Sequence, residues 1–246
     1  MESEPSETRS SGSLGLLLTV LGSLILVGVG LPIYHEARFL FQDRSHRSRS
    51  LTKNNMKQIG LALHHYHDTY RSLPPGALLS QNGTPGQSWQ ALILPFLDQQ
   101  FLFRQIDFEK PWHDPANQEA LQQEVPVYLN PKAKSKTSPD GYALSHFVGN
   151  KLVLKSDAGL RFEEMHDGTS NTIMAMEIGE YFKPWGDPTS LTEPINVIGP
   201  DKKTLSEGGS VILMGDGAVR FISKDIDSAV LKALSTPAGG EEIGKF

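Results

Sequence analysis

Residues Asn54–Gly76 read NNMKQIGLALHHYHDTYRSLPPG. Met56, Ile59, Leu63, Tyr66 and Tyr70 recur at steps of three and four, the period of one helix face. The spacing predicts a helix over Asn54–Tyr70. Leu73-Pro74-Pro75-Gly76 ends it, because proline lacks the N–H that continues a helical ladder. His64, His67 and Asp68 stand at i, i+3 and i+4 and so share a face. Two imidazoles and a carboxylate are legitimate zinc or iron ligands. In the competing reading, His64 and His67 hydrogen-bond between helix and domain while Tyr66 packs inward, and no metal is held.

Upstream, Ser13–Leu31 reads SLGLLLTVLGSLILVGVGL, and no charge falls between Arg9 and His35. About 20 apolar residues at a 1.5 Å rise match a ~30 Å hydrocarbon core. The expected division is a polar tail (1–12), a transmembrane helix (13–34), an Arg/Ser-rich stalk (35–53), a head domain (54–237) and a tail (238–246). Arg38, Arg44, Arg47, Arg49 and Lys53 follow the span, and Arg9 alone precedes it. The positive-inside rule would therefore put the head in the cytoplasm.

Downstream, Ser88–Phe108 is apolar at helical spacing, and Pro95 should kink or split it. Asp114-Pro115 reads as an N-cap with proline at the first helical position, opening a helix to about Gln123. Ala143–Asn150 and Asn171–Ile178 are strand candidates. In GGSVILMGDGAVRFIS (208–223), two β-rich apolar runs flank Gly215-Asp216-Gly217, whose glycines supply the positive φ angles of a tight hairpin. Asp227–Ser235 reads as a short helix. Helices first and strands later predict an α+β head with an antiparallel sheet.

The chain has 246 residues and a net charge of −5. From Asn54 onward, 17 Lys+Arg face 23 Asp+Glu, which argues against a nucleic-acid partner. No cysteine is present, so disulfides and thiolate chemistry are excluded. Glu163, Glu164, His166, Asp167 and Ser170 invite a triad reading, but triads are assembled from separate segments. Asp167-Gly168 as a turn, with Thr169, Ser170 and Asn171 bonding local backbone, is the better account. Asp216 at the hairpin tip is a candidate calcium ligand, although calcium wants 6–8 oxygens. Trp89, Trp112 and Trp185 read as core or interface aromatics.

Seven stretches occur together in one order: Leu31-Pro32 with Ala37-Arg38, Asn54–Tyr70, Leu73–Gly76, SWQALILPFLDQQ, DGTSNTI with Glu177, GGSVILMGDGAVRFIS, and LKALSTPAGGE. In this the chain resembles the pseudopilin-like proteins abundant in planctomycete bacteria. Their body is a domain of unknown function marked by a His-(nine residues)-Asp-Gly motif. The positions that match the family pattern are Asn54, Asn55, His64, Tyr66, His67, Asp167, Gly168, Asn171, Glu177, Asp216 and Gly217. The resemblance implies a pilin-like head on a membrane helix, anchored in the inner membrane and facing away from the cytoplasm. It implies lipid, pseudopilin-like subunits or envelope proteins as partners, and no established enzymatic activity or cofactor.

The chain departs from the pattern in three places. If Gly12 were the glycine before a prepilin cut, the fifth residue beyond it would be Leu17, where relatives carry Glu. The motif histidine falls on Ser206, and two family cysteine positions hold Thr52 and Asn130. The expected function is a non-enzymatic envelope component. The alternatives are a tethered binding module that does not assemble and, third, a metal-dependent hydrolase.

Overall fold

The computed structural model describes residues 46–79, 85–155 and 159–241. The chain divides into two units, Met1–His46 and Arg47–Phe246, and the second is the one described. The expected membrane span, 13–34, and most of the stalk lie outside the described residues. No helix among those described is long and apolar enough to cross a membrane.

Helix α1 occupies residues 46–70, starting well before the predicted Asn54. Tertiary contacts hold the Arg/Ser-rich turns that the sequence reading assigns to the stalk. Thr52 is buried and its hydroxyl donates to the Ser48 carbonyl. The Arg49 guanidinium lies 4.3 Å from the Phe221 ring and donates to the Glu207 carbonyl. Met56, Ile59, Ala62 and Leu63 form the fully buried stripe. Tyr66 is half-buried, and Tyr70, expected on the same face, is 59% exposed. Tyr70 sits at the rim of the packed surface, its ring tilted against Tyr66 at 4.5 Å and edge-on to Phe96 at 6.4 Å. Arg71 then turns left-handed (φ 64°), and its N–H closes on the His67 carbonyl. Gly76 lets the chain pass another segment closely: a Cβ there would sit 2.3 Å from the Leu154 carbonyl oxygen.

A short antiparallel pair follows, β1 (Ala77–Leu79) with β2 (Pro85–Ser88). Pro95 splits the next apolar run as its chemistry requires. The run becomes α2 (Trp89–Leu92), a 3-10 turn at Leu94–Leu97 and α3 (Gln100–Phe103). Asp114 caps the Ala116 N–H, and a 3-10 turn leads into α4 (Gln118–Leu121). The Ala143–Asn150 strand is broken at His146 into β3 (Leu144–Ser145) and β4 (Phe147–Asn150). The remaining elements are β5 (Ile173–Glu177), β6 (Lys183–Pro184), β7 (Leu191–Thr192), β8 (Gly209–Met214), β9 (Val219–Ser223) and α5 (Ser228–Ser235).

The main sheet has the order β7-β4-β5-β8-β9. It is mixed, which corrects the expected all-antiparallel sheet: β7 pairs parallel to β4, Gly149 opposite Leu191. After β5 the chain leaves the sheet to pair β6 with β3, and it comes back alongside β4 running in the same direction. Both sheet faces are covered. Val211 and Leu213 of β8 join the core of α1 and the α2–α4 segment. Ile212 and Met214, on the opposite face, meet Leu231 and Leu234 of α5. The α+β class therefore holds, with the sheet between two layers.

Candidate functional site

The family-pattern residues gather in two places along α1. His64 lies nine positions after Asn55, about 13 Å along the helix at 1.5 Å per residue.

At the first, the Asn55 amide donates to the carbonyl of Leu129 (2.8 Å) and that of Pro126 (3.4 Å). The next residue, Asn130, is a hub. Its N–H donates to His146 Nδ1 (2.7 Å) and its side-chain amide donates to Glu177 Oε1 (2.5 Å). Its Oδ1 accepts from the Lys132 N–H (2.8 Å). Glu177 is 0% exposed. Its Oε1 also accepts from the Ser206 hydroxyl (3.1 Å), and Oε2 accepts from the Val211 N–H (3.0 Å). Burial raises its pKa above the usual carboxylate range, against the opposing hydrogen bonds of Val211 and Ser206 and the charges of Lys132 and Arg49.

His146 is buried between strands. Its Nε2–H faces the Ser135 carbonyl at 2.9 Å and its ring meets Phe182 edge-on at 4.5 Å. Since Nδ1 accepts from Asn130, the neutral Nε2–H tautomer fits both partners. Burial lowers its pKa, with Lys136 adding to the effect and the Ser135 carbonyl opposing it. Asn130 as a hub and His146 as its partner were not legible as site residues in the sequence. The only local sign was a histidine inside an apolar strand run.

At the second place, His64 and His67 both stack on Phe162, at 4.6 and 4.2 Å. His67 Nε2 accepts from the Phe162 N–H (3.4 Å), so its lone pair is engaged. His64 Nε2 is buried with no hydrogen-bond partner among the described residues, close under Gly217. Asp68 is exposed and His65 points to solvent. No group of three His, Asp or Glu side chains stands close enough to hold a metal ion among the described residues. The proposed His64–His67–Asp68 face is thus an aromatic stack plus one exposed carboxylate.

Beside it, two turns lock together. The Asp216 N–H donates to the Thr169 carbonyl and the Gly215 N–H to the Thr172 carbonyl. Asp216 Oδ1 accepts from the Ala218 N–H, closing the hairpin. Of the three turn residues, Gly217 takes the positive φ (83°). Asp167 does not stay within its own turn. Its two oxygens accept from the N–H groups of Gly239 (2.6 Å) and Gly240 (2.8 Å), clamping the segment expected to be a tail. Asn171 donates to the Asp167 carbonyl. Among the described residues, no hydrogen bond joins Ser170 to His166 or His166 to Asp167. Glu164 closes on Arg161.

This geometry defines a class: an α+β domain in which the pattern side chains of a long helix engage the loops beside a mixed sheet. A sequence model described as a protein of unknown function (DUF1559, SBP_bac_10) matches residues 49–193, and the chain belongs to that family. No curated protein and no solved structure matches the chain.

Proposed function

We propose that this protein is a non-enzymatic, single-pass component of the bacterial cell envelope, with a pseudopilin-like head that acts by interaction. The supporting observation is the use made of α1. Its apolar stripe packs on the sheet that ends in the β8–β9 hairpin, while Asn55 bonds the Pro126 and Leu129 carbonyls and His64 and His67 stack on Phe162. The pseudopilin resemblance implies that arrangement. The uncharged run Ser13–Leu31 precedes it in the sequence at membrane-spanning length. The non-enzymatic reading is supported by the pattern carboxylates, since Asp167, Glu177 and Asp216 all accept hydrogen bonds from backbone N–H groups.

The head faces away from the cytoplasm in this reading. The positive-inside rule counts Arg49 against it, but Arg49 is engaged with Phe221 and Glu207 within the domain. The second reading is a tethered head that never assembles, favoured by Leu17 standing where a pilin places its assembly glutamate. Reporter fusions at the C-terminus, with N-terminal sequencing of the mature chain, test both. An extracytoplasmic reporter with cleavage after Gly12 supports assembly, and an intact Met1 supports the tether. A cytoplasmic head overturns the proposal.

A further inference from the structure

We propose that the cleft beside β4 and β7 binds a small amphipathic anion, an apolar body carrying one carboxylate. The inference depends on neither anchoring nor assembly, so the topology experiment and the binding experiment fail separately.

The cleft measures about 470 Å³, within the small-molecule range. None of the family-pattern residues lines it. Val148, Ile178, Leu191 and Val197 supply its apolar surface. Lys183, Lys202 and Lys203 line it against Glu180 and Asp201, a surplus of one positive charge on a chain of net charge −5. The three lysines are not equivalent. Lys203 is paired with Glu180 at 2.7 Å, and Lys183 donates to the Thr189 carbonyl and hydroxyl. Lys202 bonds the Gly199 carbonyl through its backbone N–H, but its ammonium has no ion pair or hydrogen bond among the described residues, and it is the cation left to meet an anion.

The fourth wall is Tyr181, 84% exposed with a left-handed φ of 56°. Nothing in the core holds this ring, and an aromatic residue is costly in that backbone region. Its neighbours fix the loop: Phe182 packs on His146, and Lys183 pairs with Ser145 in the β3–β6 ladder. Gly179 passes so close to Lys203 that a Cβ would lie 2.1 Å from the Lys203 carbonyl oxygen. The walls bearing Tyr181 and Lys202 are therefore held together, with an aromatic face and a free ammonium on one apolar cleft. An aryl or alkyl carboxylate matches that pairing, its body under Tyr181 and its charge on Lys202.

The test uses the full chain in non-ionic detergent micelles, titrated calorimetrically with 3-phenylpropanoate and with its neutral amide, empty micelles serving as the blank. The acid should bind at one site, about three- to fivefold more tightly than the amide, as expected for one exposed ion pair. Added salt should shrink that preference. Lys202→Gln should abolish the preference while leaving amide binding in place. Tyr181→Gly should weaken both ligands and leave the fold intact by circular dichroism. Equal binding of acid and amide overturns the proposal. So does heat indistinguishable from the blank, or a preference that survives Lys202→Gln.

Discussion

Replacing Glu177 by Gln separates two opposing terms in the buried network. Glu177 presents two accepting oxygens to three donors: Asn130 and Ser206 on Oε1, Val211 on Oε2. Glutamine has one oxygen and one NH₂, so an N–H donor on one side must face another donor. Asn130 cannot flip to relieve this, because its Oδ1 already accepts from the Lys132 N–H. The orphaned donor costs about 1–3 kcal/mol. A protonated Glu177 escapes that cost, because its O–H can donate to the Ser206 hydroxyl while both oxygens still accept. At low pH the wild type should exceed Glu177→Gln by about 1–3 kcal/mol. The carboxyl pKa is raised in the fold above 4.5. Its contribution to stability is therefore fully present below 4.5 and lost as pH rises through the folded value. The wild-type advantage should shrink across that window, by at most about 1.4 kcal/mol per pH unit. Urea unfolding followed by the fluorescence of the buried Trp89 and Trp185, at pH steps from 4 to 8, reads this directly. An advantage that stays constant or widens with pH refutes the reasoning, because it would mean the network lowers the Glu177 pKa.

Three further outcomes follow from other contacts. The lowered pKa of His146 makes its contribution fully present above 6.5 and lost as pH falls through the folded value. Nitrogen NMR should accordingly show a neutral Nε2–H ring persisting below pH 6.5, and an Nδ1–H tautomer would contradict the Asn130 contact. Asp167→Ala removes both acceptors from Gly239 and Gly240 and should cost about 1–2 kcal/mol. Amide exchange at those two glycines should speed up while exchange in β8 stays slow, and unchanged exchange would show that the clamp is absent in solution. Gly217→Ala puts a side chain at φ 83° and a methyl group 3.4 Å from His64 Nε2. A loss of about 1–2 kcal/mol in urea unfolding is expected, and Gly217→Asn should lose less, since Asn tolerates the left-handed region.

What the sequence disclosed was local. The stripe Met56–Ile59–Leu63, the split at Pro95, the Asp114 cap and the β8–β9 hairpin each depend on neighbours within a few residues, and each was legible. The parallel strand was not, because Gly149 meets Leu191 through a path that first visits the β3–β6 pair. Tyr70 kept the helical period but not the burial, since period says nothing about where the partner surface ends. Glu177 was legible only as a position of a resembled family. Carboxylates are seldom fully buried, so no residue scale would place this one inside. Its burial depends on donors supplied from Asn130, Ser206 and Val211, which lie far from it in sequence.

Those distant donors bear on what the pattern residues are for. Asn130 and Ser206 meet on the same oxygen of Glu177. A buried carboxylate that lost one of those donors would keep its desolvation cost and lose part of its compensation. Asn130 and Ser206 are thus coupled through one acceptor. Asn130, His146, Ser206 and Glu177 are all buried, linked by Asn130–His146, Asn130–Glu177 and Ser206–Glu177 bonds. Their work is to fix the loop whose Leu129 carbonyl receives Asn55, and so the seating of α1 at its entry to the domain. The open, charged and strained surface lies instead around Tyr181 and Lys202, where no family-pattern residue stands.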